Sequence, residues 1–244
     1  NKTKIKDFIC TFRKKYIIII LYKKEQGLQR GGFMRDYVYT IGREFGSDGK
    51  NVGFALAEKL GINCYDKELL TEAAKQSGFC EEIFENHDEK PTNSFLYSLV
   101  MDTYSINGYS SAPFLDMPLN HKVFLAQFEA IKKIASEGPC VLVGRCADYA
   151  LSDNPNCINA FVHADLDYRI ENMKKRFDMN EKQAKDTLAK KDKQRASYYN
   201  YYTSKKWGDS RSYHLTLDIS ELGIDGCVDM IIRYRDLLEA QRNK

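Results

Sequence analysis

Tyr37–Gly42 (YVYTIG) is a short run of β-prone residues, followed by a Gly-studded loop and a segment in which Val52, Leu56 and Leu60 recur at helical spacing. That pattern predicts strand, loop and helix in succession. A second brief apolar run, Ile62–Tyr65, predicts another strand. The helix expected after it, from about Asp66 to Gln76, opens with acids, which suit the positive end of a helix dipole. Residues 79–120 break this rhythm. They are rich in Ser, Asn, Tyr and Pro, and Pro91, Pro113 and Pro118 interrupt any long period, so they read as a surface lobe with short helices. Order returns at Lys122–Glu137, where Phe124, Phe128, Ile131 and Ala135 form one helical stripe closed by Gly138 and Pro139. CVLVGR (Cys140–Arg145) is apolar at consecutive positions and then meets glycine, the mark of a central parallel strand buried on both faces. Ile158–His163 predicts a further strand, Asp165–Phe177 and Asn180–Lys190 predict helices, and Tyr213–Asp218 and Ile224–Leu238 predict a last strand and a last amphipathic helix. Strands alternating with helices imply an α/β fold with a parallel sheet and ligands at the strands' carboxyl ends. There is no internal repeat.

Composition sharpens this picture in two places. The 244 residues, 43% hydrophobic and 29% charged, suit one large domain or one domain with an inserted lobe, and exclude a disordered tail, a coiled coil or a small disulfide-stapled scaffold. The net charge of +3 is unevenly spread, because residues 1–33 hold nine Lys/Arg against two acids, leaving −4 for the chain from Met34 onward. A basic pI made by a short leader gives little support for nucleic-acid binding. Seven scattered cysteines with no CxxC pair read as reduced thiols of a cytoplasmic protein, mostly filling the core. The continuous apolar run Tyr16–Tyr22 falls well short of the roughly 20 residues a membrane span needs, so no membrane association is expected. Arg13, Lys14 and Lys15 before it imitate a signal peptide, but no small-residue cleavage site follows. Arg30, Gly31 and Gly32, just ahead of Met34, can be encoded by purine-rich codons resembling a ribosome-binding site. On that reading translation starts at Met34 and the leader is an upstream extension.

Candidate chemistry begins in the first loop, GREFGSDGKNVG (Gly42–Gly53). Gly46, Ser47, Asp48, Gly49, Lys50 and Asn51 stand between strand and helix, where glycines let backbone N–H groups close around an anion and a lysine reaches outer phosphates. The pattern GxxxxGK[ST] is imperfect, with Glu44 at the first Gly position and Asn51 where a hydroxyl belongs. A Gly-rich turn that holds no phosphate is the plainer alternative. Gly144-Arg145, ending a buried strand, would aim a guanidinium into the crevice above the sheet, for a phosphate or carboxylate or for a neighbouring acid such as Asp148. Between Arg169 and Arg211 lie thirteen Lys/Arg and six Asp/Glu. A solvated helix face accounts for Lys174, Lys175 and Lys182, but a basic cluster followed by Tyr198, Tyr199, Tyr201, Tyr202 and Trp207 suggests a mobile flap closing cations over phosphates. The histidines His87, His121, His163 and His214 lack ligand-like spacing, and no structural metal site is expected.

The order of these parts resembles the nucleoside monophosphate kinases. VLVGRCADYAL (Val141–Leu151) is similar to the Gly-Arg-Asp region of cytidylate kinases, and REFGSDG, YDKELL, GRCADY, DKQRASYY and YTSKKWGD resemble the cytidylate-kinase-like bacterial proteins. The resemblance covers Tyr37 to about Leu238. It implies a three-layer α/β/α P-loop kinase fold with about five parallel strands, a helical acceptor lobe (79–120) and a basic helical lid (about 180–211). It further implies ATP and Mg²⁺ as cofactors, with Lys50 and the amides of Gly46–Lys50 on the donor phosphates. Arg145 would hold the acceptor phosphate, with Arg43, Asp66 and Arg169 on the substrate side. Arg195 and Asp192 match the second Arg and second Asp of the lid pattern RDxxDxxR, whose opening Arg and Asp are replaced by Leu188 and Ala189. The lid's remaining chemistry could move to Lys190, Lys191 or Lys193, and Asn51 or a water could stand in for the missing Mg²⁺-binding hydroxyl.

Three functions stay open on these residues. Lys50, Arg145 and Arg195 suit phosphoryl transfer to a nucleoside monophosphate, CMP or dCMP by the resemblance, which needs positioning and charge neutralisation and no base. Asp66, just past the second strand, would instead suit a small-molecule hydroxyl acceptor, as in shikimate kinases, or simply cap the next helix. The altered loop and half-missing lid pattern also fit a protein that binds nucleotide without turnover. Nucleotides are the expected partners, and the aromatic lobe Phe95–Phe114 either covers the acceptor or pairs with a second subunit.

Overall fold

The computed structural model describes residues 35–67 and 119–243. The leader, the bulk of the helix expected after Asp66, and the lobe expected over 79–120 lie outside the described residues, save its last two positions. Five strands, β1 (Val38–Arg43), β2 (Asn63–Tyr65), β3 (Cys140–Val143), β4 (Cys157–His163) and β5 (Leu215–Asp218), form one sheet in the order β2-β3-β1-β4-β5. Every pairing is parallel, with Tyr39 opposite both Val141 and Ile158. Side chains alternate across β3. Val141 and Val143 join Ile41, Val52, Leu56 and Ile231 in one core, whereas Cys140 and Leu142 join Val38, Ile131 and Ala147 on the opposite face. Burial on both faces is why these strands read as continuous apolar runs.

The first core is covered by α1 (Gly49–Leu60) and α6 (Ile219–Arg242), the second by α2 (Leu119–Ser136) and the short α3 (Ala147–Ala150). The chain therefore leaves the adjacent strands β1 and β3 toward opposite faces, and that divergence opens a crevice at their carboxyl ends. Helix α6 breaks at Gly223, whose φ of 64° lies in the left-handed region, so the continuous part starts where the hydrophobic period starts, at Ile224.

Two α-helices, α4 (Leu166–Phe177) and α5 (Glu181–Thr203), and a 3-10 turn at Ser210–Ser212 complete the described chain. Helix α5 is much longer than the expected Asn180–Lys190. Its start is a capping box, in which Asn180 accepts from the Gln183 amide and the Gln183 side chain accepts from the Asn180 amide. Nothing breaks it before Ser204, which turns left-handed at φ 54°. The tyrosines that suggested a flap lie on this helix. Tyr198 and Tyr202 pack on Phe124 of α2, with the Tyr202 and Phe124 rings stacked at 4.0 Å, so their burial needs no ligand. The five described cysteines are free thiols, and burial raises those of Cys64, Cys140 and Cys157 to about 12 and that of Cys227 to about 11. Cys140, Cys146, Cys157 and Cys227 fill the core, and the raised thiols carry little thiolate at neutral pH.

Candidate active site

The loop after β1 carries its glycines for steric reasons. Gly46 has φ 79°, and a side chain there would meet Leu188 of α5. Leu188 replaces an arginine of the lid pattern, and it is a packing residue, buried with Ile170, Met173 and Ala184. Ser47 is fully buried and donates to the carbonyls of Glu44 and Val162, which tie the loop to β4. Asp48 stands at the N-cap of α1 in a left-handed conformation, φ 61°, and its side chain makes no capping bond. The first turn of α1 also holds no acid, so its positive dipole end is of the kind that suits an anion.

Helix α4 braces this loop from outside. Tyr168 Oη and Asn172 Nδ2 donate to Asp48 at 3.2 and 2.8 Å, Arg176 pairs with the same carboxylate, and Asn172 Nδ2 also reaches the Gly46 carbonyl at 3.0 Å. Arg169, buried, donates from Nε to the Phe45 carbonyl at 2.8 Å, pairs with Glu44 at 3.1 Å and pairs with Asp192. Asp192 of α5 in turn accepts from the Phe45 amide at 2.8 Å. Arg195, one helical turn later, donates to the Arg43 carbonyl at 3.0 Å and lies over the Phe45 ring. The residues of α4 facing the loop recur at helical spacing, but a run of Tyr, Arg, Asn and Arg reads from sequence as a solvated face, so Tyr168, Asn172 and Arg176 escaped notice. Lys174, Lys175 and Lys182 are exposed, as that reading expected.

Two groupings of candidate residues result. On the β2 side, Lys50 Nζ lies 2.5 Å from Asp66, whose side chain is 8% exposed at the end of β2. Over β1 and β3, Arg43, Arg145 and Arg195 line one cleft together with Asp148, Tyr199 and Trp207. Arg43 runs along the loop, its Cβ against Gly49 and its guanidinium against the Cα of Gly144, a position where any side chain would collide with it. Gly144, Arg145 and Cys146 all take positive φ, 78°, 59° and 55°. Two consecutive non-glycine residues in that region mark a forced turn, and it buries Arg145 beneath Tyr198, 5.9 Å from its ring. Lys190, Lys191 and Lys193 point to solvent.

Asp148, considered from sequence only as a partner for Arg145, accepts instead from the Tyr199 hydroxyl at 2.6 Å. Burial raises its pKa despite that hydrogen bond. Burial, then the Asp148 carboxylate, raises that of Tyr199, which stays a proton donor. Among the described residues no group of three or more His, Cys, Asp or Glu side chains could hold a metal, and no helix is long and apolar enough to cross a membrane.

These motifs can be set beside known proteins. A solved structure of an uncharacterized protein from Eubacterium ventriosum is 34% identical and has a TM-score of 0.62, with 82% of this chain and 98% of that chain covered. Shikimate kinase from Bacteroides thetaiotaomicron (12% identity, 84% and 99% covered, TM-score 0.45) and a gluconokinase from Sinorhizobium meliloti 1021 (14%, 84% and 97%, 0.46) are more distant structural matches. No functionally curated protein matches significantly. The model of the cytidylate kinase-like family matches residues 38–221, a stretch that runs from the first strand through the glycine loop, the Gly-Arg turn and α5. With that span and this sheet order, the chain is a P-loop kinase by fold and belongs to the cytidylate kinase-like family.

Proposed function

We propose that this protein transfers the γ-phosphate of ATP to a nucleoside monophosphate, with CMP or dCMP as acceptor. The observation that carries the proposal is the cleft over β1 and β3 that Arg43, Arg145 and Arg195 line together; among its described lining residues the carboxylate is Asp148, which accepts from Tyr199. Three guanidinium groups in a partly buried site suit an acceptor that is itself a phosphate, and they suit a neutral hydroxyl compound poorly. The family match supports cytidine as the nucleoside.

In this reading the loop amides and the first turn of α1 hold the donor phosphates, and Lys50 swings from Asp66 onto them. Arg145 orients the acceptor phosphate, and Arg195, anchored on the Arg43 carbonyl, faces the charge that develops on the transferring group. No side chain has to remove a proton, since the attacking oxygen is anionic. Mg²⁺, when bound, neutralises phosphate charge. Its oxygen ligands would come mainly from the nucleotide, with Asn51 the protein oxygen nearest the loop lysine in sequence.

One observation favours a second reading. Asp66 is 6% exposed and sits at the carboxyl end of β2, so once Lys50 leaves it a buried carboxylate faces the site, as a hydroxyl acceptor would require. A coupled ADP-release assay with ATP and Mg²⁺ against CMP, dCMP, UMP, AMP, GMP and no acceptor separates the two. The expected result is release that depends on CMP or dCMP and falls by about 10²–10³ in Lys50→Ala and Arg145→Ala with unchanged folding. Silence across the monophosphates with release on a sugar or cyclitol acceptor, lost in Asp66→Asn, would favour the second reading; nucleotide binding with no transfer would leave a binding protein.

A further inference from the structure

The loop lacks a hydroxyl after its lysine, yet it contains an unusual arrangement at the same place. Asp48 occupies the N-cap of α1 without capping it. An Asp at that position ordinarily accepts from a backbone amide two or three residues on. Here the carboxylate, 8% exposed, is turned to the loop's outer side, where Tyr168, Asn172 and Arg176 of α4 hold it. It also faces Asn51, whose Nδ2 lies 3.2 Å from Asp48 Oδ1.

That last contact has a chemical consequence. A carboxylate engaged by an arginine is ionised and only accepts, so Asn51 must present its NH₂ to Asp48, and its carbonyl oxygen is the branch turned away. The orientation follows from the partner's chemistry and needs no further assumption about the amide. A carboxamide oxygen is a hard, neutral donor of the kind Mg²⁺ accepts. Outer partners that fix a ligand's orientation commonly govern metal affinity.

From this arrangement we infer that Asn51 supplies the protein oxygen for the Mg²⁺ of a bound Mg–nucleotide, and that Asp48 is the positioning residue that turns its amide to do so. Helix α4 has a share in the site on this account, because Tyr168, Asn172 and Arg176 keep Asp48 off the helix cap and on Asn51. The inference rests on the nucleotide-binding reading above, and it concerns only how the cation is held.

The test measures binding, not turnover. The affinity of the β,γ-imido analogue of ATP is determined by calorimetry with Mg²⁺ and with EDTA for the wild type, Asn51→Ala, Asn51→Ser, Asp48→Asn and the double variant Asp48→Asn/Asn51→Ser. Mg²⁺ should tighten binding to the wild type. Asn51→Ala should lose about tenfold or more of that tightening, with metal-free affinity unchanged. Asn51→Ser, which carries its own hydroxyl, should restore it. Asp48→Asn should weaken the Mg²⁺ effect in the wild-type background and leave it unchanged in the Asn51→Ser background, since a hydroxyl needs no partner to choose its face. Full Mg²⁺ tightening in Asn51→Ala would overturn the assignment of Asn51, and an equal effect of Asp48→Asn in both backgrounds would overturn the positioning role. If the wild type fails to bind the analogue with or without Mg²⁺, the nucleotide reading itself falls, and this inference with it.

Discussion

Gly144 is where a single atom separates packing from chemistry. Its φ of 78° is accessible to alanine at about 1–2 kcal/mol, but a methyl group would collide with the Arg43 guanidinium, the movable end of a flexible side chain. Gly144→Ala is therefore expected to lower stability by only about 1–2 kcal/mol while raising the acceptor KM more than tenfold, read by thermal unfolding alongside initial rates. An unchanged KM would remove Arg43 from the acceptor site. At this scale the sequence was informative about residue type and silent about partners. Lys50 and Arg145 stood out because a glycine loop and a strand end place cations over a sheet, and Arg195 only because it matches the lid pattern of the resembling family. The partner of Lys50 is Asp66, across the loop-to-β2 connection, and that of Asp148 is Tyr199 on a distant helix. No local spacing encodes either pair.

At the scale of elements, the loop, α4 and α5 form one unit held by Arg169. One buried guanidinium meets the Phe45 carbonyl, Glu44 and Asp192, so it joins the glycine loop to α5. Removing it would strand two carboxylates beside each other. Arg169→Ala should cost about 3 kcal/mol in chemical denaturation, and Arg169→Lys should recover only part of that because a point charge cannot serve three acceptors in a fork. Equal stability of Arg169→Ala and wild type would show that Glu44 and Asp192 find other partners. The strands and most helix starts were readable from period and caps. The length of α5 was not, because its tyrosines interrupt the polar pattern of a lid and their reason for being there, Phe124 on α2, lies some seventy positions away.

For the whole molecule, pH exposes which groups the fold holds neutral, the buried His121 and the more exposed His214 among them. Burial lowers the pKa of His121 and His214 from the ordinary 6.5, and His214 Nδ1 accepts the Asn159 amide at 2.9 Å, which an imidazolium cannot do. The unfolded chain then binds protons before the native state does, so stability is complete above about pH 6.5 and is lost as pH falls through the lower folded values. Asp148 works in the opposite sense, since its raised pKa makes stability fall as pH rises from the ordinary carboxylate range through the folded value. Denaturant midpoints from about pH 8 to pH 5 should show the histidine limb, with a slope of at most about 1.4 kcal/mol per pH unit for the buried His121 and less for His214, which solvent screens. His214→Asn, which keeps an acceptor without a titrating ring, should reduce that slope. An identical acid limb in that variant would assign the loss elsewhere.

The sequence by itself determined the local alternatives. Apolar runs at consecutive positions suit strands buried on both faces, Gly46 and Gly49 allow the loop its turn and its close approach to Arg43, and periods place the helices, so the fold class was legible. Tertiary structure alone decided which charges meet. Strand order, with β3 inserted between β2 and β1, carries Gly144-Arg145 beside Arg43 and puts Asp66 within reach of Lys50. Likewise the packing of α4 on the loop turned a seemingly solvated face into the brace around Asp48. The physical reason is range. Periodicity and propensity act over a few residues, whereas an ion pair in a cleft depends on how distant elements are ordered and faced, which many sequences with the same local pattern would arrange differently.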